Sequence, residues 1–138
     1  SFLKENILPM EQSGKLHFVE REGNREFCKA DHLGFESLLV DGHTDKQMIP
    51  HIDYKGKKLV FMADLLPTVG HIPLPYVMGF DTRPLLTLAE KEKFLQTAAN
   101  ENYYLFMEHD AHNEIITLKN TEKGVRHDQT YTFNELFN

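Results

Sequence analysis

The sequence predicts an α/β (α+β) fold, in which a mixed sheet is flanked by helices. Three observations support this prediction: several short apolar runs typical of buried strands, one long amphipathic stretch typical of a helix, and their order along the chain. Helix-like and strand-like segments follow one another as helix, several strands, helix and more strands. The 138 residues, 41% of them hydrophobic, are enough for one globular core, so residues 1–138 are treated as a single domain.

The first half of the chain predicts one helix and four strands. Apolar residues near the start follow helical spacing: Phe2, Leu3, Ile7, Leu8 and Met10. Strands are predicted at residues 16–20 and 35–41, and two more within residues 47–64, where Lys55-Gly56-Lys57 has the composition of a hairpin turn. Pro50 favours an edge position or a bulge, because proline cannot donate a ladder hydrogen bond.

The second half predicts a long helix followed by further strands. The helix covers residues 84–102, and Thr87 and Glu90 have the spacing of a capping box. Its apolar side comprises Leu88, Phe94, Leu95 and Ala98, and its water-facing side comprises Lys91, Glu92, Lys93 and Gln96. Strands follow at residues 103–110 and 113–120, and a weaker strand pair is predicted with a turn near Asp128-Gln129.

Charge and composition argue against several classes of protein. The net charge of −6 argues against a nucleic-acid surface, which needs clustered Lys and Arg. No apolar run approaches the roughly 20 residues that span a bilayer, so a membrane partner is not expected. Cys28 is the only cysteine, which excludes an internal disulfide and a thiolate zinc site. Eight histidines are a first indication of a metal site.

Three apolar strands are each followed by a side chain that can bind a metal. These side chains are His43, Asp64 and His109. A polar group directly after a strand lies at the rim of the sheet, where loops form sites. Two imidazoles and one carboxylate are suitable ligands for zinc. Each of these residues alone is more often a cap or a surface group, and periodicity leaves open whether the three strand ends converge.

In their order, the three segments resemble the later metal motifs of the metallo-β-lactamase-fold hydrolases. The segments are Asp-Gly-His-Thr around His43, the apolar strand ending at Asp64, and Leu-Phe-Met-Glu-His-Asp around His109. An acid at position 64, where the true β-lactamases of that superfamily carry a cysteine, is similar to the hydrolase and lactonase branches.

The resemblance implies a fold, a metal centre and an activity. The fold would be the C-terminal half of an αββα sandwich. His43 would bind one metal ion, His109 the other, and Asp64 would bridge the two as the central catalytic residue. A bridging role accounts for an acid at the tip of a core strand, because two cations compensate its charge. The activity would be that of a dinuclear zinc hydrolase, in which a metal-bound hydroxide attacks a lactone, an ester or a phosphoester.

The chain departs from the superfamily in one respect. The H-x-H-x-D-H cluster that supplies most of the ligands is absent, since no two of the histidines are two positions apart. We therefore expect an incomplete and inactive C-terminal part of such an enzyme. Half a sandwich leaves apolar sheet surface uncovered, so the missing half is expected as another chain or through a swapped homo-oligomer. The alternative is a non-catalytic interaction module that keeps the fold without a functional metal site.

The proline- and glycine-containing composition of residues 71–81 predicts a loop over the site. His71 and Tyr76 are candidates for the pocket of a small-molecule substrate, stiffened by the neighbouring prolines. The alternative is a purely structural crossover. Asp110 and His112 are expected to support the ligands or to face solvent, and His51 is expected to be a half-buried histidine without a ligand role.

Overall fold

The described residues form seven strands and three α-helices. The computed structural model describes residues 3–21, 23, 26–30 and 33–138. The strands are β1 (Phe27–Ala30), β2 (Phe35–Val40), β3 (Gln47–Tyr54), β4 (Lys57–Phe61), β5 (Tyr104–Phe106), β6 (Ile115–Thr121) and β7 (Gly124–Tyr131). The helices are α1 (Lys4–Gln12), α2 (Pro84–Asn100) and α3 (Phe133–Phe137), and a 3₁₀ turn covers Val69–His71. All seven strands belong to one mixed sheet, which confirms the predicted α/β class.

Strand direction brings three strand ends to one edge of the sheet. The spatial order follows the chain from β1 to β7. Strand β3 is antiparallel to both β2 and β4, and β5 is parallel to β4. Strands β2, β4 and β5 therefore run in the same direction, and their last residues meet at one edge, called here the carboxyl edge. The parallel pair needs a crossover connection, which α2 provides.

Helix α2 covers one face of the sheet and forms the main core. Its Phe94, Leu95 and Ala98 are buried and pack in one cluster with Val60 and Leu105 from the central strands. Side chains alternate between faces along a strand, so the neighbouring Leu59 points to the second face. There Leu59 packs with Ile115 and with Phe137 of α3 in a smaller cluster. The second face is only partly covered, and Met48 is 37% exposed on it.

Helix α1 confirms the predicted N-terminal helix but contributes no buried residue. Leu3, Leu8 and Met10, which supply its apolar side, are all exposed. Phe2 lies outside the described residues. None of the helices in the described part of the chain is long and apolar enough to cross a membrane.

Two predictions about strands and turns are wrong. Residues 16–20 form no strand, because alternation in a short exposed segment does not supply a pairing partner. The predicted turn near Asp128-Gln129 lies inside β7, and the chain turns instead at residues 122–123. Gly124, with φ of 88°, closes that turn, and the Thr121 hydroxyl accepts a hydrogen bond from the Lys123 backbone at 3.2 Å.

Pro50 occupies an interior strand rather than an edge. It pairs with Ser37 of β2, while the pairing of β3 with β4 begins one residue later, at His51 and Val60. Proline is tolerated here because the ladder to β4 does not extend to position 50, so no donor is required from that residue.

Two predictions about α2 are also wrong. The helix begins at Pro84 with Arg83 as N-cap and no side-chain cap, so Thr87 and Glu90 do not form a capping box. Thr87 is buried, and Glu90 binds the backbone at the end of β2 instead. Lys91, expected to face water, is 1% exposed. A loop folds over this side of the helix, a long-range contact that helical periodicity does not report.

Candidate metal centre

The three predicted ligands meet at the carboxyl edge. His43, Asp64 and His109 each follow the last residue of their strand by three positions. Nε2 of His43 lies 3.5 Å from Oδ2 of Asp64, and Nε2 of His109 lies 3.1 Å from Oδ1 of the same carboxylate. Two imidazoles from strands on either side of the sheet centre thus approach opposite oxygens of one acid.

The set faces solvent rather than the core. The side chains of His43, Asp64 and His109 are 14%, 29% and 49% exposed. The apolar run before Asp64 suggested a deeply buried acid at the tip of β4. The structure shows instead that this carboxylate is partly exposed. Its charge remains partly hydrated, and a ligand or ion could reach it from solvent.

The donor chemistry fits zinc, but the number of donors is small. Imidazole nitrogen and carboxylate oxygen are ordinary zinc ligands, and a catalytic site has three protein ligands. Each oxygen of Asp64 is paired with one imidazole, which gives two donors on each side of the carboxylate. Within the described residues, no group of three His, Cys, Asp or Glu side chains is arranged to hold one ion. The donor types therefore fit zinc, but the described residues do not by themselves complete a site for one ion.

Asp81 orients His43 and was missed by the sequence reasoning. Its Oδ1 lies 2.8 Å from Nδ1 of His43, and its side chain is 1% exposed. A carboxylate at Nδ1 fixes that nitrogen as the donor and leaves Nε2, which faces Asp64, as the nitrogen able to bind a metal. Oδ2 of Asp81 is buried and has no hydrogen-bond partner among the described residues. In the sequence, an acid shortly before a helix looks like a helix cap, so nothing distinguished it.

Helix α2 fixes the segment that carries His43. The Glu90 carboxylate accepts hydrogen bonds from the backbone N–H of Asp41 at 2.7 Å and of Gly42 at 3.0 Å. Gly42 packs directly on the first turn of the helix, where an added Cβ would lie 2.4 Å from Oγ1 and 2.6 Å from Cα of Thr87. Glycine before His43 is therefore required by packing and does not depend on any chemistry of the site.

A strained residue precedes Asp64. Ala63 has a φ of 42°, in the left-handed region that residues with a Cβ seldom adopt. The backbone reverses here, since Met62 still bonds to Phe106 of β5 at 3.0 Å while Leu65 bonds back to Met62 at 3.2 Å. The turn leaves the carboxylate of Asp64 at the rim, between β2 and β5.

Asp110 organises the loop that carries His109. It accepts hydrogen bonds from the backbone N–H of Val69 and of His112, both at 3.0 Å, and from the backbone and the side chain of Asn113. Burial raises the pKa of the Asp110 carboxyl, but these hydrogen bonds outweigh it and hold the pKa below its usual value. The loop is thereby tied to the 3₁₀ turn at Val69–His71, and His112 faces solvent.

Among the described residues, neither predicted pocket residue forms a hydrogen bond, ion pair or ring contact with His43, Asp64 or His109. His71 is half-buried, and its Nδ1 lies 2.8 Å from the Thr68 hydroxyl. Burial lowers the pKa of His71, and the nearby charge of Lys91 lowers it further. Tyr76 is 61% exposed. Phe80 is 76% exposed, and its ring centroid lies 6.4 Å from that of His43, so it offers an apolar surface next to a predicted ligand.

His51 belongs to the core and not to the site. It is 3% exposed, its Nδ1 lies 2.8 Å from the Ile49 carbonyl, and its ring contacts Phe27, Phe94 and Tyr103 edge-on. Burial lowers the pKa of this imidazole, which favours the neutral form. His51 is therefore more buried than expected, and it packs as a core residue. His32 lies outside the described residues.

Solved structures of metal-dependent hydrolases share this fold. AidC, a dizinc quorum-quenching lactonase solved with the product N-hexnoyl-L-homoserine, has a TM-score of 0.72 and 26% identity over 94% of this chain and 42% of its own. AbOPH, a hydrolase of the beta lactamase superfamily, has a TM-score of 0.72 at 15% identity over 94% of this chain and 43% of its own. A probable metal-dependent hydrolase from Staphylococcus aureus has a TM-score of 0.62 at 20% identity over 87% of this chain and 42% of its own. No protein-family model and no curated protein sequence matches the chain.

These likenesses define the class of the fold. The mixed sheet and its crossover helix are those of the metallo-β-lactamase fold, as the sequence resemblance implied. The chain corresponds to a C-terminal part of that fold, and it spans less than half the length of the three structures named above.

Proposed function

We propose that the chain is the C-terminal part of a dinuclear metal-dependent hydrolase. In this proposal His43 binds one ion, His109 binds the other, and Asp64 bridges them through its two oxygens. The observation that supports it is the approach of one imidazole nitrogen to each oxygen of Asp64, at 3.5 Å and 3.1 Å. At these separations Nε2 of each imidazole faces one oxygen of the carboxylate, as a shared carboxylate requires.

Zinc is the proposed metal because of the donor types and because AidC is a dizinc enzyme. When bound, zinc supplies Lewis acidity and lowers the pKa of a coordinated water to near neutrality. The residues of this chain contribute orientation. Asp81 holds the ring of His43, and the Gln47 amide donates to Oδ2 of Asp64 at 3.4 Å.

The proposed substrate is a small molecule with a hydrolysable lactone, ester or phosphoester bond. A lactone has the support of AidC, whose identity to this chain is 26%. His71 and Tyr76 are proposed to line the substrate pocket, and Phe80 supplies a further apolar wall beside His43. Exposed aromatic side chains next to a polar centre suit a substrate that joins an apolar group to a reactive carbonyl.

The remaining ligands are proposed to come from an N-terminal half, supplied as another chain or by a swapped homo-oligomer. Two donors on each side of Asp64 are fewer than a catalytic zinc ion needs. The same observation supports the second candidate function, a non-catalytic interaction module that keeps the fold. Metal binding distinguishes the two, since the module has no use for the centre.

The test compares Asp64→Ala with Asp53→Ala. Asp53 is an exposed acid at the opposite edge of the sheet, so it controls for the loss of a charge. In the intact enzyme, Asp64→Ala should lower kcat/KM for a lactone by about 10³-fold or more, because both ions lose a ligand, with little change in Tm. For the same enzyme freed of metal, calorimetric titration with zinc chloride should show zinc binding by the parent and by Asp53→Ala and weaker or no binding by Asp64→Ala. Hydrolysis by Asp64→Ala at the parent rate would contradict the bridging role.

A further inference from the structure

Lys91 is a buried charged residue that the metal centre does not use. It lies in the middle of α2 and is 1% exposed, which makes it one of the largest fully buried side chains of the described chain. Burial lowers the pKa of its amine to about 8, and the charge of Asp81 acts in the opposite direction. A buried ammonium is unfavourable unless its donors are satisfied, so its partners indicate what it stabilises.

The partners of Lys91 are three backbone carbonyls of one loop. Nζ donates to the carbonyls of His71 at 3.0 Å, Pro73 at 3.4 Å and Tyr76 at 2.5 Å. An ammonium has three donors, and this set satisfies all of them. The three acceptors belong to residues 71–76, called here the 71–76 loop. Since Pro73 and Pro75 lack backbone N–H groups, the loop has few donors of its own with which to bond to the rest of the fold.

The 71–76 loop adjoins the candidate metal centre. It carries both proposed pocket residues, His71 and Tyr76, and the chain continues from it to Asp81, which contacts His43 at 2.8 Å. Nζ of Lys91 contacts the His71 carbonyl at 3.0 Å, and the charge of Asp81, which contacts His43, acts on both Lys91 and His71. A displacement of the loop would therefore move the pocket residues relative to the site.

We propose that Lys91 is a positioning residue, whose buried ammonium closes the 71–76 loop onto α2 and so sets the position of His71 and Tyr76 beside the metal centre. The loop's role in holding substrate rests on the proposed function. The anchoring of the loop by the ammonium does not, because it requires no metal and no substrate.

Hydrogen exchange on the chain tests the anchoring. Lys91→Met keeps the length and packing of the side chain but removes the charge and the three donors. Backbone amides of residues 72–78 should exchange about 10-fold faster or more in this variant, while β4, β5 and β6 keep their protection. Lys93→Met is the matched control, since Lys93 is on the same helix, exposed and paired only with Glu26. Equal exchange of the loop in Lys91→Met and in the parent would overturn the proposal.

A conservative variant separates anchoring from simple packing. Lys91→Arg keeps the charge and the donors, so it should recover part of the loop protection that Lys91→Met loses. If the arginine variant exchanges as fast as the methionine variant, the cation is not what holds the loop.

Amine labelling of the parent protein tests the same proposal without requiring that any variant folds. Under brief labelling with an amine-reactive reagent, Lys91 should react about 100-fold more slowly than Lys93, because it is reached only when the loop opens. Comparable reactivity of the two lysines would overturn the proposal. Zinc titration of the intact enzyme reports on the proposed function alone: a protected loop in an enzyme that binds no zinc would contradict the metal centre and leave the loop anchor unaffected.

Discussion

Ala63 shows how one residue can determine the direction of a site carboxylate. Its positive φ of 42° is rarely adopted by residues with a Cβ, and in that region the Cβ approaches the following carbonyl oxygen at a cost of about 1–2 kcal/mol. The residue is 8% exposed and directly precedes Asp64, so the surrounding core holds it in place. Backbone strain of this kind is concentrated at functional sites, and here it coincides with the proposed bridging acid.

Two substitutions at position 63 should separate strain from packing. Ala63→Gly relieves the steric cost but gains freedom in the unfolded chain, so the free energy of unfolding should change by less than about 1 kcal/mol. Ala63→Val places a β-branched side chain at positive φ and should lower the free energy of unfolding by about 2 kcal/mol or more. Denaturant unfolding measures both, with Ala89→Val on the exposed side of α2 as the control for β-branching. A valine variant as stable as the parent would show that position 63 is not strained.

At the residue scale, the sequence identified the three candidate ligands but not the residues that hold them and the neighbouring loop in place. His43, Asp64 and His109 could be named because each follows an apolar strand and because their order resembles a known family. Asp81 and Lys91 could not be found in the same way. Their roles arise only when the chain between β4 and α2 folds back over the helix, and helical periodicity placed Lys91 on the water side.

At the element scale, the contact between α2 and the end of β2 determines where His43 lies. Gly42 is the point of closest approach, and the Glu90 carboxylate accepts hydrogen bonds from the backbone N–H groups of Gly42 and of Asp41 before it. The helix thus has two roles, since the same element also forms the main core with the sheet. A change at this contact should affect stability and the site together.

Gly42→Ala should be strongly destabilising. The new Cβ would meet the backbone of Thr87 at 2.5–2.6 Å, and a helix backbone cannot give way as the end of a flexible side chain can. We expect a loss of about 2–4 kcal/mol in the free energy of unfolding, as for other overpacked core positions. Gly79→Ala is the matched control, because nothing lies within 4 Å of its added Cβ. Equal chemical denaturation midpoints for the two variants would contradict this account of the contact.

Elements defined by local chemistry were predicted well, and those defined by pairing were not. The hairpin turn at Lys55 and Gly56 was identified from composition, and both residues have the positive φ values, 47° and 75°, that this turn needs. Residues 16–20 alternate like a strand but do not form one, because alternation describes the two faces of a segment and not its neighbour in a sheet. The turn placed at residues 128–129 was wrong because β7 continues through it to pair with β6.

At the scale of the whole molecule, two apolar surfaces are incompletely covered. One is the second face of the sheet, where Met48 is 37% exposed, and the other is the apolar side of α1, where Leu3, Leu8 and Met10 are 59%, 44% and 49% exposed. Surfaces of this kind normally contact a partner. The proposed N-terminal half, as a separate chain or from a second copy, would account for this exposure.

The chain alone should therefore self-associate. Sedimentation velocity over a range of protein concentrations should show dimers or larger species, with dissociation at about micromolar concentrations for an apolar interface of ordinary size. Leu8→Lys should shift the distribution towards monomer, because a charge in the interface must be desolvated. Glu5→Lys, on the same helix, is the control for the change of charge. A monodisperse monomer at every concentration would contradict the proposed partner.

The arrangement of the strands could be inferred from the family resemblance but not from composition and hydrophobic periodicity. Composition and periodicity gave the α/β class, but the convergence of three strand ends depends on the directions of β2, β4 and β5. Those directions depend on two antiparallel pairings, of β3 with β2 and with β4, and on one parallel crossover. Neither the sheet order nor the crossover can be read from hydrophobic periodicity in a single chain.

The same strand directions leave the opposite edge of the sheet available for attaching a label. The two hairpin turns, at residues 55–56 and 122–123, both lie there, on the far side from His43 and Asp64. Lys123 is exposed on the second of them. A fluorescent dye or a surface tether attached at that turn would leave the opening to the acid and its two imidazoles unobstructed.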